Sequence, residues 1–289
     1  MSDVLEIKGL CKKYPKFELK DVSFNVPAGS ITGFIGRNGA GKTTTLKSIM
    51  NLLHYEKGEI KIFNQNMLEH ELEIKQDIAF SLSEINYYQN VTVEKLTKVT
   101  SKFYKNFSYD TFNKLCTHFN IDKSKRLEQL SSGMKVKYSL AVALSHDAKL
   151  LILDEPTSGL DPVSRGEITD LFIDLVKDGK RSILFSTHIT SDLDKCADHI
   201  VYIENGQITF KGKKEELMNN YALFRCEPTA VNDELKAKFI SYKEQFGQII
   251  GLVKKEDVVS KEGIKVLPPT IEDIMQYNEQ GDEHEKLTL

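Results

Sequence analysis

The chain has 289 residues, a net charge of −3 and 28% charged residues, the usual mix for a globular protein, with no global basic field for nucleic acid. Four cysteines without a C-x-x-C pair argue against a zinc site or a disulfide framework. No apolar stretch nears the roughly 20 residues of a membrane span, and the N-terminus lacks the apolar region of a signal peptide, so we expect the chain not to cross a bilayer.

The first elements along the chain are predicted to be two strands. Residues 4–10 and residues 20–26 alternate apolar and polar side chains, and Pro27-Ala28-Gly29 closes the second run. Tyr14 lies between the two predicted strands.

The loop at residues 36–43 matches the pattern G-x-x-x-x-G-K-[ST] between an apolar run at 31–35 and a predicted helix at 44–50. Glycines let backbone N–H groups curl around an anion, and the helix N-terminus adds its dipole. Lys42 can reach the β- and γ-phosphates of a nucleotide, and the Thr43 hydroxyl can bind Mg²⁺. A glycine-rich turn before an ordinary helix is the alternative. We expect the phosphates to be bound by Gly36, Arg37, Asn38, Gly39, Ala40, Gly41, Lys42, Thr43 and Thr44.

The middle of the chain changes from mixed to helical character. Strands are predicted at 58–63 and 77–82, with a helix at 67–76 between them. Residues 92–137 are rich in lysine and carry apolar residues at helical spacing, which predicts a helical insertion. The pattern then predicts a helix over 134–145.

The next part of the chain contains two fully apolar runs, 150–153 and 182–185, the pattern of buried parallel strands. A helix is predicted at about 191–197. Strands at 199–204 and 207–211 are joined by an Asn-Gly pair, which favours a hairpin. Alternating strands and helices of this kind indicate a layered α/β domain.

The residues after about 215 carry no readable chemistry. Scattered apolar residues between Phe239 and Val253 suggest some packing, and residues 268–275 suggest a turn followed by a short helix. The last eleven residues are polar and acidic, so we expect them to be frayed.

Two adjacent acids, Asp154 and Glu155, follow the apolar run at 150–153. This places both carboxylates at the carboxyl edge of the sheet, where ligands bind in open α/β sheets. Asp154 is expected to hold Mg²⁺ through water, and Glu155 to orient or deprotonate an attacking water. A helix cap is the alternative interpretation for an acid at the end of a strand.

The segment Leu130-Ser131-Ser132-Gly133-Met134 would by itself indicate only a helix cap or turn. Together with the other motifs it resembles the nucleotide-binding subunit of ABC transporters, whose signature at this place is Leu-Ser-Gly-Gly-Gln. Ser132 replaces the first glycine and Met134 the glutamine. The resemblance covers about residues 4–215 and includes the order and spacing of every motif.

The resemblance implies roles for further residues. Ser131 and Gly133 keep the positions that contact phosphate in the family. Tyr14 matches the aromatic residue that stacks on adenine, although without the family it could equally be an ordinary tyrosine at a strand end. Asp161 matches the last residue of the loop that crosses the dimer interface. His188 matches the switch histidine at the γ-phosphate, whereas a lone histidine after a strand is more often a surface residue.

One position departs from the family pattern. The family normally has a glutamine between the sheet and the helical insertion, where it contacts Mg²⁺ and the attacking water. In this chain the position falls on Ser83, followed by Glu84, and Gln89 is too far along the chain to be its equivalent. We therefore expect Ser83 to lie beside the metal. We also expect either that hydrolysis is slow or that water completes the coordination shell of the metal.

The fold implied by the resemblance is α/β. It is a P-loop NTPase core of the ABC ATPase type, with a mixed sheet flanked by helices and an antiparallel β subdomain. Residues 1–215 are expected to form the ATPase domain, with a helical subdomain inserted at about 84–137. Residues 216–289 are expected to form a small C-terminal extension with a regulatory or dimerising role.

The resemblance also implies a function, with ATP and Mg²⁺ as the bound groups. Two ABC ATPase subunits, identical or different, pair head to tail, hydrolyse ATP and drive a separate integral-membrane permease from the cytoplasmic side of a bacterial membrane. Short exporter-type cassettes look most similar, which favours export of a peptide, lipid or drug-like toxin. Tyr87, Tyr88 and the helix beginning near Val93 are candidate permease contacts or core of the insertion. The alternatives are a soluble ABC ATPase acting on ribosomes or DNA and a P-loop kinase.

Overall fold

The computed structural model describes residues 2–81, 89–258 and 263–280. It divides the chain into two compact units, residues 1–211 and residues 212–289, each with its own sheet structure. Within the described residues no helix combines the length and apolar character that crossing a membrane requires.

Ten strands and seven helices begin in the described part of the first unit. The strands are β1 Asp3–Tyr14, β2 Phe17–Pro27, β3 Ile31–Ile35, β4 Lys57–Ile62, β5 Gln65–Asn66, β6 Ile78–Ser81, β7 Leu150–Asp154, β8 Ser182–Thr187, β9 His199–Glu204 and β10 Gln207–Lys213. The helices are α1 Lys42–Ile49, α2 Glu71–Ile74, α3 Val93–Thr100, α4 Tyr109–His118, α5 Ser132–Ser145, α6 Pro162–Val176 and α7 Thr190–Cys196. Short 3₁₀ turns occupy Lys75–Asp77, Ser101–Phe103 and Leu127–Gln129.

The central sheet has six strands in the order β10-β9-β3-β8-β7-β6. Strands β6, β7, β8, β3 and β9 run parallel to one another, and every residue of β3, β7 and β8 is buried. Continuous apolar runs suit these positions because both faces of a parallel sheet are covered. The carboxyl ends of β3, β8 and β7 therefore lie side by side at one edge, and this edge carries the candidate site.

A second sheet, in the order β2-β1-β4-β5, is antiparallel and packs on the central sheet. Its inward side chains share one core with the central sheet and α1, and the rings of Phe24 and Phe34 lie 5.3 Å apart across this core. The predicted α/β fold with a mixed sheet and an antiparallel β subdomain is confirmed.

Three helices, α3, α4 and α5, follow in sequence between β6 and β7 and form their own small core. Each begins at a capping hydroxyl, which accepts a backbone N–H from the first turn: Thr92, Ser108 and Ser131 respectively. The predicted helical character of residues 92–137 follows from their apolar spacing.

The helix predicted over 67–76 is shorter than expected. The side chain of Asn66 accepts the N–H of Leu68 at 2.9 Å and holds this stretch in a turn. Only Glu71–Ile74 is α-helical, and the 3₁₀ turn Lys75–Asp77 leads into β6.

The second unit contains a four-stranded antiparallel sheet that the sequence pattern did not predict. Its elements are α8 Lys214–Asn219, β11 Tyr221–Cys226, α9 Asp233–Lys236, β12 Phe239–Gln245, β13 Gln248–Lys254, β14 Ile264–Leu267 and α10 Ile271–Gln280, with 3₁₀ turns at Pro228–Ala230 and Lys255–Asp257. The strand order is β12-β13-β11-β14. Strand β11 is buried at four of six positions, so it lacks the apolar and polar alternation that marks a half-buried strand. The helix after the Pro-Pro turn matches the expectation, as does the packing of Leu252 and Val253, which are fully buried, whereas Phe246 is exposed.

Candidate functional site

The glycine-rich loop leaves β3 and ends where α1 begins, as the motif predicts. A Cβ atom on Gly36 would lie 2.4 Å from the carbonyl oxygen of Ile203, so only glycine fits. Gly41 caps α1 with φ of 113°, a conformation that strongly favours glycine. The backbone N–H groups at the start of α1 are thereby free to face a phosphate.

Lys42 directs its ammonium group into the loop rather than into solvent. Its Nζ donates to the carbonyl oxygens of Gly36 at 2.7 Å and Arg37 at 3.2 Å. It also lies 3.3 Å from Oε1 of Glu155. The lysine is buried, so this positive charge is held at a fixed point inside the loop.

Thr43 and Asp154 form the second part of the site. Thr43 donates its hydroxyl to Oδ2 of Asp154 at 2.9 Å, and Ser186 donates its hydroxyl to Oδ1 at 2.5 Å. Asp154 is 2% exposed. The sequence did not predict a role for Ser186. The pairing register of the strands would have indicated it, because Asp154 and Ser186 are paired neighbours near the ends of β7 and β8.

Glu155 joins the loop lysine to the predicted switch histidine. Its Oε1 faces Lys42, and its Oε2 lies 2.8 Å from Nδ1 of His188. Its backbone N–H donates to the Ser186 hydroxyl at 3.0 Å, and its φ is 51°, in the left-handed region. A non-glycine residue in this region costs of order 1 kcal/mol, and such strain clusters at functional sites.

These groups surround a cavity of about 580 Å³, a size typical of small-ligand sites. Tyr14 lies at the end of β1, in the strand rather than between strands, and its ring is 6.4 Å from that of Phe17. Phe17 is a lining residue that the sequence did not single out, and Ser158, the first residue of the loop that ends at Asp161, also lines the cavity. The cavity is lined by Tyr14, Phe17, Arg37, Asn38, Gly39, Gly41, Lys42, Thr43, Thr44, Glu155, Ser158 and His188.

Three residues that the resemblance assigns to the nucleotide site or the dimer interface do not line this cavity. Ser131 caps α5 by accepting the N–H of Met134 at 3.3 Å, and Gly133 is buried in the first turn of that helix. Asp161 caps α6 by accepting the N–H groups of Val163 and Ser164, both at 3.0 Å. The hydrogen bonds from Ser164 hold the pKa of the Asp161 carboxyl below its usual range.

Two other predicted phosphate residues, Gly36 and Ala40, are not among the residues that line the cavity. The Ala40 carbonyl accepts the N–H of Gly206 at 3.1 Å. The expected metal residue Ser83 lies outside the described residues, as do Glu84, Tyr87 and Tyr88.

A buried acid that the sequence did not single out lies behind Glu155. Asp192, in the first turn of α7, accepts the hydroxyl of Thr157 at 2.6 Å and lies 3.9 Å from Nε of Arg165. Burial raises the pKa of the Asp192 carboxyl, while the Thr157 hydrogen bond and Arg165 act in the opposite direction. Asp192 thus joins the helix after His188 to the segment after Glu155 and to α6.

The described residues contain no group of three or more His, Cys, Asp and Glu side chains that could together hold a metal ion. Among the described residues, Thr43 and Asp154 place a hydroxyl and a carboxylate oxygen beside the loop. Hard oxygen donors in small number suit Mg²⁺, which binds to one or two protein groups and to substrate phosphates.

The family model described as "ABC transporter" matches residues 19–158. The chain is 33% identical over 211 residues to a bacitracin transport ATP-binding protein, BcrA, of Bacillus licheniformis, covering 72% of this chain and 69% of that protein. It is 31% identical over 220 residues to a fluoroquinolones export ATP-binding protein of Mycobacterium tuberculosis, covering 75% and 73% respectively.

A solved structure of the ATP-binding subunit of an ABC transporter is also similar. It superposes with a TM-score of 0.66 at 28% identity and covers 74% of this chain and 91% of that chain. The similarity to this structure therefore covers about three quarters of the chain, as does the similarity to the two relatives named above.

Proposed function

This chain belongs to the family of ATP-binding proteins of ABC transporters, an ATPase family, and we propose that it drives export of a peptide, lipid or drug-like toxin through a separate membrane permease. The observation that carries the catalytic part is the convergence of Lys42, Thr43, Asp154, Glu155 and His188 at one edge of the sheet. The relatives named for bacitracin transport and fluoroquinolone export support the direction and the class of cargo.

The loop side of the site binds the triphosphate. Gly36–Thr44 supplies backbone N–H groups and the N-terminus of α1. Lys42 exchanges its contact with Glu155 for the β- and γ-phosphates of ATP, so that binding releases the carboxylate. Tyr14 stacks on the base at the other end of the cavity, where aromatic surface is already exposed.

Glu155 is the group best placed to act on water. Once freed from Lys42 it accepts a proton from the attacking water, and His188, 2.8 Å away, orients the carboxylate and faces the γ-phosphate. A positioned base of this kind contributes about 10²–10⁴-fold to the rate.

Mg²⁺ fits the residues present, because Thr43 and Asp154 place a hydroxyl and a carboxylate oxygen 2.9 Å apart. When bound, Mg²⁺ neutralises part of the charge on the transferred phosphoryl group. Ser186 holds the other Asp154 oxygen and so fixes the direction of the carboxylate. Ser83 is proposed as a further residue of this metal environment.

A second ATPase subunit completes the site. Ser131 and Gly133 at the start of α5, and Asp161 at the start of α6, do not line the cavity of their own chain. We place them against the phosphates bound by another subunit, where the N-terminus of α5 adds its dipole. ATP then favours the closed pair because only that state makes both sets of contacts.

The subunit arrangement is tested with Glu155→Gln, which retains ATP. Analytical ultracentrifugation is expected to show an ATP-dependent dimer, and Ser131→Arg in the same background is expected to abolish it. Ser124→Arg, on an exposed turn of the same insertion, is the matched control and retains the dimer. A monomer with ATP in all three proteins would contradict the proposal.

The permease is proposed to bind at the cytoplasmic side of a bacterial membrane, with this chain as its peripheral subunit. The junction of the core with the helices after β6 exposes apolar side chains, and Leu72 on α2 is 85% exposed. A protein partner that covers such residues gains apolar burial. Within the chain, residues 1–215, with a helical subdomain at about 84–137, are proposed as the ATPase domain. Residues 216–289 are proposed as the extension.

Purification in mild detergent tests the transport role. A membrane protein with several spanning helices is expected to co-purify and to change the ATPase rate. Ribosomal proteins or DNA in its place would instead support a soluble ATPase, which the comparisons do not favour.

A further inference from the structure

The exposed face of α3 carries three lysines in a row. Lys95, Lys98 and Lys102 follow one another at intervals of three and four residues, the spacing of one helix face, with Lys102 in the 3₁₀ turn that continues α3. All three are exposed, while Val93 and Thr97 on the opposite face are buried. The lysines span about 10 Å along the helix.

Two exposed apolar side chains lie beside these lysines. Val99 is 51% exposed and Phe103 is 71% exposed. We call Lys95, Lys98, Val99, Lys102 and Phe103 the lysine face.

The position of Phe103 is fixed by its backbone. The side chain of Gln76 donates to the Phe103 carbonyl at 3.0 Å and accepts the N–H of Lys105 at 2.9 Å. The next ring, that of Tyr104, stacks on His146 at 3.7 Å between centroids. Phe103 therefore projects into solvent from an anchored turn, not from a fraying helix end.

The charge of this region differs from that of the rest of the chain. Residues 92–137 contain ten Lys and Arg against four Asp and Glu, in a chain of net charge −3. Among the described residues, none lies in an ion pair with Lys95, Lys98 or Lys102. Glu94 is the acid of α3 and lies in its first turn, where it suits the helix dipole. The three ammonium groups are thus available to an external anion.

We propose that the lysine face contacts the anionic surface of a lipid bilayer. This proposal rests on the proposed function, which places the chain beside a membrane permease. The lysine face would add a contact with lipid to the contact with the permease. Charge complementarity selects the partner, because each lysine near an anionic leaflet contributes about fivefold to the partition coefficient. The interleaved valine and phenylalanine favour lipid over nucleic acid or an acidic protein, since apolar side chains enter the headgroup boundary.

The first experiment is flotation of the purified full-length chain with vesicles, without permease. Binding is expected to vesicles of phosphatidylcholine with phosphatidylglycerol and not to phosphatidylcholine alone. It is expected to fall steeply toward 1 M salt, where the Debye length shrinks to about 3 Å. The triple variant Lys95→Gln, Lys98→Gln, Lys102→Gln is expected to bind at least about tenfold more weakly.

A matched triple variant removes the same charge elsewhere. Lys57→Gln, Lys114→Gln and Lys125→Gln change three other exposed lysines and are expected to leave binding unchanged. Equal losses in both triple variants would overturn the assignment to this face. If the first triple variant does not fold, Lys98→Gln alone is expected to show about a fivefold loss.

The second experiment uses the absence of tryptophan from the chain. Phe103→Trp introduces a single tryptophan, excited selectively from the tyrosines, whose emission is expected to shift to shorter wavelength on anionic vesicles. Phe246→Trp, at a fully exposed hairpin position of the second unit, is the control and is expected to show no shift. Unshifted emission from the Phe103→Trp variant, or release of the chain from vesicles by single-stranded RNA at equal phosphate concentration, would overturn the proposal.

Failure of the lipid contact is distinguishable from failure of the transport proposal. The lysine variants are expected to keep the ATPase rate of the purified chain, because none of their side chains lines the cavity. Loss of vesicle binding with permease co-purification intact would separate the two contacts. A chain that hydrolyses ATP and binds its permease but never binds anionic vesicles would refute only the lipid proposal.

Discussion

We expect the replacement of Glu155 by glutamine to change ATP binding and hydrolysis in opposite directions, because the proposed function gives this carboxylate a part in both. Its Oε1 lies 3.3 Å from the Lys42 ammonium, so it competes with the phosphates for that charge. Its Oε2 lies 2.8 Å from His188, in position to receive a proton from water. Glutamine has nearly the same shape but carries neither the charge nor the basic oxygen.

Both effects have an expected size. Loss of the base lowers kcat by about 10²–10⁴-fold. Loss of the competing anion is expected to strengthen ATP binding by about fivefold, because ATP no longer has to break this largely buried contact, whose net contribution after desolvation is about 1 kcal/mol. The two changes have opposite signs, which distinguishes this account from simple damage to the site.

The assay measures phosphate release for kcat and binding of a fluorescent ATP analogue for Kd. Glu167→Gln is the control, because Glu167 makes an exposed ion pair with Lys137 and does not line the cavity. It is expected to change neither quantity. Unchanged kcat in Glu155→Gln, or weaker ATP binding, would refute the reasoning.

Three further changes test neighbouring contacts. Ser186→Ala removes one of the two hydroxyl groups on the buried Asp154 and is expected to cost about 1–3 kcal/mol in urea unfolding. Asp192→Asn tests a pH dependence: the folded-state pKa of this acid is raised above 3.8, so its protonated form favours folding and stability falls as pH rises through the folded pKa. The Tm of the variant relative to wild type is therefore expected to increase from acidic to neutral pH, and a flat difference would contradict this. Tyr14→Ala is expected to weaken ATP binding by about 5–150-fold at unchanged kcat, measured by titration, because base stacking contributes about 1–3 kcal/mol.

The sequence was sufficient for the part of the fold where local pattern and tertiary position agree. The apolar runs of β7 and β8 and the strand, glycine loop and helix around residues 31–50 all appear in the structure as predicted. In the second unit the pattern failed, because Phe224 and Val253 are buried in strands that lack a regular alternation. Antiparallel pairing among β11, β13 and β14 joins segments tens of residues apart, which no local signal records.

The candidate site shows the same division. Motif residues such as Lys42, Thr43 and Asp154 were predicted because their residue types occur at a spacing that is typical of phosphate and metal binding. Ser186 and Phe17 were not, since a serine in an apolar strand and a phenylalanine after a turn have many ordinary explanations. Their positions depend on strand register and on contact with Gly41, where an added Cβ would come within 2.8 Å of the Phe17 ring.

Sheet order explains why residues so distant in sequence meet. Strands β3, β8 and β7 are adjacent and parallel, so the loop after Ile35, the segment after Asp154 and the segment after Thr187 emerge at one edge. Each carries a different kind of group: phosphate-binding backbone, acids and a histidine. The signature residues at the start of α5 do not follow a strand of this sheet. Ser131 therefore does not line the cavity that the first three groups surround. Under the proposed function a second subunit supplies the missing side of the site, and hydrolysis is then coupled to the approach of two ATPase chains.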